Sequence, residues 1–348
     1  MNNEWQRFLV SQSAQIGAEG GVHFPGAPER PPCALVDLSH LGLIEVAGED
    51  AGTFLQGQLT NDVRELSDGH TQLAGYCSAK GRMLASLRMI RLGGSYLMQL
   101  PLEKLATVMQ RLRLFVLRSK VTLRDASDRL VAIGIAGECA EPLLRQLSPR
   151  LPERPNDLLL NGDLALIRMA GPTPRFQLLG PVQEIRAAWQ LLCAQAVPVD
   201  ADWWSLLDIR AGIPSITAET MEAFVPQMAN MQLIDGVSFT KGCYTGQEVV
   251  ARMQYLGKLK RRMYLAEVVS PTPPRPGDEL FSTLSDSAQG AGKVVNAAKS
   301  GDNRYELLAV IEIDAAEEGE VSLGDKGPTL RLKPLPYPLA SDQENTAN

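Results

Sequence analysis

The chain has 348 residues, of which 45% are hydrophobic, and a formal net charge of -6 at pH 7. This length allows two or three domains with at least one sizeable core, and the acidic balance argues against direct nucleic-acid binding, which favours basic domains. No apolar run approaches the ~20 residues that span a bilayer, and the N-terminus lacks a basic stretch followed by an apolar segment. We therefore expect a soluble protein with no membrane partner and no signal peptide.

Cysteine and histidine usage argues against a disulfide framework and against a zinc site. The five cysteines are widely spaced, odd in number and contain no Cys-x-x-Cys pair. The three histidines form no pair at the i,i+4 spacing of a helical metal site. This pattern predicts no bound metal and a reducing, cytoplasmic location. The cysteines are Cys33, Cys77, Cys139, Cys193 and Cys243.

In chain order, the first predicted elements are two strands around a turn over residues 33–48 and a short helix over 49–58. Residues 71–92 predict a β-hairpin, because two partly alternating runs flank the turn-forming Gly81. Hairpins interleaved with helices favour an α+β fold class over a doubly wound parallel sheet. The remaining elements predicted before residue 212 are strands near 95–100, 120–125 and 129–136, and helices at 102–118, 138–148, 182–196 and 201–211.

The sequence changes character after Gly257, where short strands alternate with Pro, Gly and Asp. Several short strands separated by turn signals predict a small barrel or sandwich. The predicted boundaries are therefore an α+β region over 1–257, a small β-barrel over 258–338 and a disordered polar tail over 339–348. The predicted strands are 259–269, 278–283, 290–298, 305–313 and 329–333.

The segment Lys-Gly-Cys-Tyr-Thr-Gly-Gln-Glu, residues 241–248, is the strongest candidate for a functional site. Thr245 and Glu248 have the spacing of a capping box, which predicts a helix that runs to about Leu256 and buries Val249, Met253 and Leu256. Cys243 would then precede a helix N-terminus, whose partial positive charge favours a thiolate. The alternative is a buried structural cysteine in an ordinary turn before a helix.

This segment resembles the signature of the YgfZ family of folate-binding, tRNA-modification and iron–sulfur-maintenance proteins, relatives of the glycine-cleavage T protein. The resemblance covers roughly residues 33–335. Further matching motifs are FLQGQLTNDV at 54–63, GYCSAKGR at 75–82, LDIRAGIP at 207–214 and FVPQ at 224–227, followed by Asn230.

The resemblance implies a T-protein-like (GcvT-like) fold, a ring of three subdomains in which the last is a β-barrel. It also implies that residues 1–257 form two interleaved α+β subdomains that bind tetrahydrofolate. Cys243 and Lys241 would be the reactive pair. The residues expected at the folate are Asn61, Asp62, Tyr76, Arg82, Trp204, Arg210, Gln227, Asn230, Tyr244, Gln247 and Glu248.

Two departures from the T protein bear on chemistry. Ala85 and Ser86 stand where the T protein carries paired aspartates, so the carboxylate that orients the aminomethyl donor is missing. Arg210 replaces a glutamate that grips the pterin, and a guanidinium offers only donors where a pterin edge calls for an acceptor. A second tryptophan used by some YgfZ members falls at Leu41. Aminomethyl transfer is therefore not expected.

Three functions stay open at this point. The first is a tetrahydrofolate-binding accessory protein that supports iron–sulfur enzymes, including enzymes that modify tRNA. The second is a folate-dependent aminomethyl or methyl transferase with a rebuilt site, and the third is a binding module in which the thiol segment is only a latch. Two features have two open readings: Trp204 as core or stacking surface, and Asn61-Asp62 as turn or ligand contact. Two basic clusters, residues 104–124 and 258–262, are expected to be solvated faces or guarded strand edges, with an anion site as the alternative.

Overall fold

A computed structural model describes residues 2–17, 21–28, 31–285, 287 and 290–339. The predicted disordered tail lies, from residue 340 onward, outside these residues. None of the helices in the described ranges is both long and apolar enough to cross a bilayer.

Eight α-helices and two short 3-10 helices occur in the described ranges. The helix predicted over 102–118 and the three predicted after it are confirmed, each ending within a few residues of the expected position. The α-helices are α1 (Asn3–Ser11), α2 (Ala51–Gln56), α3 (Leu102–Val116), α4 (Ala140–Leu147), α5 (Val182–Leu192), α6 (Ala201–Arg210), α7 (Gln247–Tyr255) and α8 (Ile313–Glu318), and the 3-10 helices are Val63–Glu65 and Met231–Ile234.

The strands include all those predicted, among them the hairpin that turns at Gly81. The strands are β1 (Gln15–Ile16), β2 (Val22–His23), β3 (Cys33–Asp37), β4 (Leu41–Ala47), β5 (Gln72–Cys77), β6 (Met83–Leu92), β7 (Ser95–Pro101), β8 (Thr122–Asp125), β9 (Leu130–Gly137), β10 (Leu158–Asn161), β11 (Leu164–Arg168), β12 (Arg175–Pro181), β13 (Val197–Val199), β14 (Arg261–Val269), β15 (Glu279–Phe281), β16 (Gly292–Gly301), β17 (Arg304–Glu312), β18 (Ser322–Leu323) and β19 (Arg331–Lys333).

The chain divides into two compact units that are discontinuous in sequence. The predicted division into 1–257, 258–338 and a tail stays a prediction. Unit 1 comprises Met1–Leu55, Val63–Gln72 and Arg88–Leu207, and unit 2 comprises Gln56–Asp62, Leu73–Leu87 and Asp208–Asn348.

Unit 1 is built around a six-stranded sheet in the order β10-β11-β12-β9-β3-β13, antiparallel except for the parallel pair of β3 and β13. Alternate side chains of these strands enter two apolar cores. One core holds Phe176 and Trp189 with the apolar faces of α1, α4 and α5, and the other holds Leu179 and Trp204. The same unit contains the strand pairs β6 with β7 (from Arg88), β7 with β4, and β4 with β8.

Helix α1, at the N-terminus, was not predicted from the sequence. Its start is capped by Asn2, whose side chain accepts hydrogen bonds from the backbone N–H groups of Glu4 and Trp5 at 2.8 and 3.0 Å. The indole N–H of Trp5 donates to buried Asp37 at 2.7 Å. Burial raises the pKa of Asp37, although this hydrogen bond and those from Ser39 oppose the shift.

The expectation that the cysteines are not paired is wrong for two of them. Cys33, the first residue of β3, forms a disulfide with Cys139 just before α4, and their Cα atoms are 5.6 Å apart. Sequence spacing did not indicate this bond because the two residues are 106 positions apart and only the sheet brings them together.

Unit 2 contains an antiparallel six-stranded sheet in the order β18-β15-β16-β17-β14-β19. The sheet curls into a half-barrel, which confirms the barrel-like fold predicted for the region after Gly257. Its core includes Ala266, Val294, Leu307 and Ile311, together with Ala315 of α8. Together the two units confirm the α+β class.

Candidate functional site

All of the residues predicted for the site lie in unit 2, except Trp204, which lies in unit 1. The signature segment 241–248 is held against residues 56–62, which come far earlier in the chain. The backbone N–H of Ser238 donates to the carbonyl of Thr60 at 3.0 Å, and that of Thr245 donates to the carbonyl of Gly57 at 3.2 Å. The loop that carries the thiol is therefore anchored at both ends by backbone hydrogen bonds.

Lys241 is the strongest single anchor of this loop. Its ammonium is buried and donates to the backbone carbonyls of Gln56, Leu59 and Asn61 at 2.8, 2.6 and 2.7 Å. The same ammonium lies 5.0 Å from the centroid of the Tyr244 ring. An ammonium has three protons to donate, and three carbonyls receive them. These contacts show that the side chain of Lys241 holds the loop against residues 56–61.

Asn61 closes the same anchor from the other side. Its side-chain amide donates to the carbonyls of Leu73 and Asp235 at 2.9 and 2.6 Å, and its side-chain oxygen accepts from the N–H of Asp62 at 2.9 Å. Asp62 is buried as well. These contacts favour the structural reading of Asn61.

The predicted capping box is not formed. Helix α7 begins at Gln247 with Gly246 as its N-cap, and no side chain caps it. Glu248 instead pairs with Arg252 at 2.6 Å, both side chains being well exposed. Thr245 uses its backbone rather than its hydroxyl to anchor the loop, through Gly57. The N-cap is thus Gly246 rather than Thr245, and Cys243 lies three positions before it (246 minus 243).

Two glycines replace the capping box in positioning the start of α7. Gly246 has a φ of +82°, and a Cβ there would lie 2.4 Å from the carbonyl oxygen of Ser78. Gly81, in the hairpin turn, has a φ of +67°, and a Cβ there would lie 2.7 Å from that of Val249. Only glycine permits this approach at a positive φ. The hairpin turn around Gly81 consequently lies in close contact with the start of α7.

The buried face of α7 also differs from the prediction. Val250 is its fully buried residue, Val249 and Met253 are half-buried, and Leu256 is 85% exposed. The predicted helix end is confirmed, because the N–H groups of Leu256 and Gly257 both donate to the carbonyl of Arg252.

Cys243 is exposed at the surface of this anchored loop, as is Gly242 before it. The neighbouring Tyr244 is buried, and burial together with Cys77 raises the pKa of its hydroxyl. Burial also raises the pKa of the Cys77 thiol to about 12. Within unit 2, Cys243 is the thiol that a reagent or partner can reach, so the reading of Cys243 as a buried structural cysteine is excluded.

Arg82, Gln227 and Asn230 fasten the surrounding segments. The guanidinium of Arg82 donates to the carbonyl of Ala223 at 2.6 Å. The amide of Gln227 donates to the carbonyl of Val250 in α7 at 2.6 Å. Asn230 has a left-handed backbone and donates to the carbonyl of Met263 at 2.8 Å, which ties it to the half-barrel. The remaining predicted contacts are buried Tyr76 on β5 and Gln247 at the start of α7.

Arg210 forms a bidentate ion pair with Glu306 of β17. Its Nε and one terminal nitrogen lie 3.0 and 2.7 Å from the two carboxylate oxygens, and Lys333 lies 3.4 Å from the same group. Burial raises the pKa of Glu306, but the hydrogen bond and charge of Arg210 outweigh it and leave the pKa lowered. Arg210, which stands where the T protein is expected to have a glutamate, is thus paired with the carboxylate of Glu306.

Trp204 is packed in the core of unit 1. Its side chain is 1% exposed and lies against Gly134, where a Cβ would be 2.4 Å from the ring. The guanidinium of Arg175 lies 4.9 Å from the ring centroid. These contacts favour the core reading, and ligand stacking on Trp204 would require the ring to become exposed.

The positions of the T protein's acidic pair carry no charge. Ala85 is fully buried on β6, and the hydroxyl of Ser86 accepts a hydrogen bond from the N–H of Ile216 at 3.0 Å. Ser86 therefore serves the packing of the chain.

Sequence reasoning named Gln227 but missed two further buried acceptors in unit 2, Gln58 and Ser78. The side-chain oxygens of Gln58, Ser78 and Gln227 have no hydrogen-bond partner among the described residues. Such atoms are costly when left unpaired. A signal was present, since Gln58, Ser78 and Gln227 all lie within the matching motifs.

Some residues of each basic cluster make contacts within the protein. Lys104 is buried and Lys120 pairs with Glu49 at 2.7 Å, while Arg261 and Arg262 pair with carboxylates of the half-barrel region. This favours the structural reading of both clusters. Among the described residues, no three His, Cys, Asp or Glu side chains meet where a metal ion could be held.

The fold places the chain among T-protein-like proteins. It superimposes on the glycine cleavage system aminomethyltransferase T from Bartonella henselae with a TM-score of 0.73, 16% identity and 97% of each chain covered. Residues 29–156 match the family model of the GCVT N-terminal domain. At this identity the likeness concerns the fold.

Curated relatives define the family more narrowly. The tRNA-modifying protein YgfZ of Yersinia pestis is 33% identical over 328 residues, which is 92% of this chain and 99% of the relative. The protein of the same name from Edwardsiella ictaluri is 35% identical over 325 residues, covering 92% and 96%. The chain belongs to the YgfZ family.

Proposed function

We propose that this chain is a tetrahydrofolate-binding accessory protein of the cytoplasm. It supports the assembly or repair of iron–sulfur clusters in enzymes, including enzymes that modify tRNA, and Cys243 is its reactive group. The YgfZ relatives are named tRNA-modifying proteins, and the T-protein-like fold is that of an aminomethyltransferase, an enzyme of one-carbon chemistry. Folate and partner enzymes are its expected ligands.

The observation that carries this proposal is the contrast between Cys243 and its supports. Lys241, Asn61, Thr245 and Gly246 are used to hold the loop, and the thiol itself is left exposed. A buried lysine costs free energy unless its protons are all bonded. An exposed thiol on a loop that is held by buried contacts is suited to react with a molecule outside the protein.

The chemistry of unit 2 fits a pterin in kind. A pterin edge presents N–H and amino donors, which need acceptors. The unpaired oxygens of Gln58, Ser78 and Gln227 are acceptors that would hold such an edge. Because these atoms are buried, binding there requires neighbouring side chains to move. Bound tetrahydrofolate would supply a one-carbon carrier, and the protein would orient it and exclude water.

Rescue of a bacterial strain that lacks its YgfZ-family gene tests the thiol. We expect Cys243→Ser to fold like wild type and to fail to restore tRNA nucleosides made by iron–sulfur enzymes, measured by mass spectrometry. Cys193→Ser is the matched control, because Cys193 is partly buried in unit 1 and should rescue fully. Full rescue by Cys243→Ser would refute the thiol's role.

Equilibrium dialysis with tetrahydrofolate tests the ligand. Wild type should bind, and an absence of binding would remove the folate half of the proposal. In Arg210→Glu, two carboxylates would face each other at the position of the ion pair with Glu306. The double variant Arg210→Glu, Glu306→Arg restores an ion pair and therefore serves as the control for that repulsion. Trp204→Ala opens a core cavity worth about 3–5 kcal/mol, so Trp204→Phe, which keeps a ring in place, separates lost stacking from lost packing.

The alternative function is a transferase of the T-protein type. The positions that would carry its acidic pair are Ala85 and Ser86, and they do not support it. Ala85 is fully buried, and the hydroxyl of Ser86 accepts a hydrogen bond from the backbone N–H of Ile216. Incubation with tetrahydrofolate and an aminomethylated donor protein should yield no catalytic turnover to methylene-folate.

A further inference from the structure

The disulfide between Cys33 and Cys139 lies in unit 1, whereas the signature thiol Cys243 lies in unit 2. Cys33 is buried at the start of β3, and Cys139 is half-buried at the N-cap of α4. Nothing in the proposed function uses this pair.

The sheet, rather than the bond, brings the two residues together. Strand β3 pairs with β9 from Cys33 opposite Gly137 to Asp37 opposite Ile133. Gly137 has a φ of +114°, and a Cβ there would lie 2.0 Å from the carbonyl oxygen of Pro32. Only glycine lets the chain turn so tightly beside Cys33. Cys139, two residues later, therefore stays beside Cys33 whether or not the sulfurs are bonded.

The two thiols differ in access and in local charge. Cys33 is 7% exposed and belongs to the apolar core that contains Leu35 and Ile135. Cys139 is only partly covered, and it stands at the N-terminus of α4, where unpaired N–H groups favour an anion. Cys139 is thus the sulfur that an oxidant reaches first, and Cys33 is the resolving partner.

We propose that Cys33 and Cys139 form a reversible thiol-oxidation site whose substrate is a low-molecular-weight disulfide such as oxidised glutathione. The Cys139 thiolate attacks one sulfur of that disulfide and releases one thiolate. The Cys33 thiolate then attacks the Cys139 sulfur and releases the second. Two protein thiols are oxidised, one small disulfide is reduced to two thiols, and the two protons leave with the products. In a reducing compartment the pair rests as a dithiol.

The bond acts as a redox-dependent staple of unit 1. It joins residues 106 positions apart, and closing a long loop stabilises a protein mainly by constraining its unfolded chain. Oxidation should therefore lower the equilibrium constant for unfolding by roughly 10²–10³-fold. The exchange does not require Cys243, so unit 1 would gain stability under oxidising conditions whether or not the exposed Cys243 also reacts.

The test uses the full chain, reduced with dithiothreitol or equilibrated with oxidised glutathione. Titration of the denatured Cys193→Ser, Cys243→Ser double variant, which lacks the two more accessible free thiols, should find three thiols after reduction (five minus two) and one after oxidation (three minus two). Peptide mapping should identify Cys33 joined to Cys139, and the urea midpoint should rise on oxidation. In Cys193→Ser the midpoint should still rise, whereas in Cys139→Ser it should not respond.

Three results would overturn the proposal. These are three free thiols in the double variant after oxidation, a mapped bond between other cysteines, and a bond that dithiothreitol cannot reduce without unfolding the protein. If Cys139→Ser does not fold, the oxidised and reduced forms of wild type supply the same comparison of urea midpoints. None of these outcomes depends on whether folate binds or Cys243 reacts.

Discussion

The two units of this protein use cysteine in opposite ways. Unit 1 places Cys33 and Cys139 side by side at the margin of a core, where each is the other's partner. Unit 2 buries Cys77 deeply and leaves Cys243 exposed on a loop held by buried polar contacts. The difference teaches that the surroundings of a thiol, rather than its residue type, decide whether it is inert, paired or open to a partner.

Alkylation rates give the largest test of this comparison. Burial raises the pKa of Cys77 to about 12, so its thiolate fraction at pH 8 is about 10⁻⁴. Cys243, by contrast, is exposed, so a reagent reaches its thiol without any opening of the fold. Iodoacetamide at pH 8 should therefore modify Cys243 at least about 10³-fold faster than Cys77, as read by mass spectrometry.

Denaturation in urea supplies the control for that measurement. Both thiols should then react at similar rates, because the unfolded chain exposes them equally. Comparable rates in the folded protein would contradict the assignment of Cys243 as the accessible thiol of unit 2.

Lys241→Met tests whether the loop is anchored as described. The change leaves the carbonyls of Gln56, Leu59 and Asn61 without their donor in a buried site. We expect a loss of about 2–4 kcal/mol in the free energy of unfolding, measured in urea, because several buried acceptors lose a charged donor.

Lys258→Met is the matched control for this change. Lys258 is an exposed lysine just after α7, and its replacement should alter stability by less than about 0.5 kcal/mol. Equal effects of the two substitutions would mean that the Lys241 contacts contribute little.

The ion pair of Arg210 with Glu306 predicts a smaller, pH-dependent effect. The pKa of Glu306 is lowered in the folded protein, so its charged form contributes stability above the ordinary value of 4.5. That contribution is lost as the pH falls through the lowered pKa. Glu306→Gln should thus be less stable than wild type at pH 7, with a difference that shrinks as the pH falls below 4.5.

The exposed pair of Glu248 with Arg252 is the comparison for Glu306. Both of its side chains are well exposed, so Glu248→Gln should change stability by a few tenths of a kcal/mol at most. A gap between Glu306→Gln and wild type that does not depend on pH would contradict the predicted linkage.

Local pattern was enough to predict most of the fold. The hairpin at Gly81, the helix over Leu102–Val116 and the short strands after Gly257 all follow from periodicity and turn residues. Helix α1 was not predicted from local pattern. Its cap is Asn2, and it is held to the rest of unit 1 by the hydrogen bond from the indole of Trp5 to Asp37, which is 32 residues away. The capping box at Thr245 did not form because the backbone N–H of Thr245, which Glu248 would have bonded, donates instead to the carbonyl of Gly57.

The sequence by itself determined the residue types at the candidate site, the family to which they point, and the absence of the acidic pair at Ala85 and Ser86. Tertiary structure alone decided that Lys241 is an anchor, that Arg210 carries Glu306, and that Cys33 meets Cys139. The physical reason is that spacing along a chain specifies short-range geometry. Burial and hydrogen-bond partners, by contrast, depend on segments that lie 96 to 182 positions apart in these three cases.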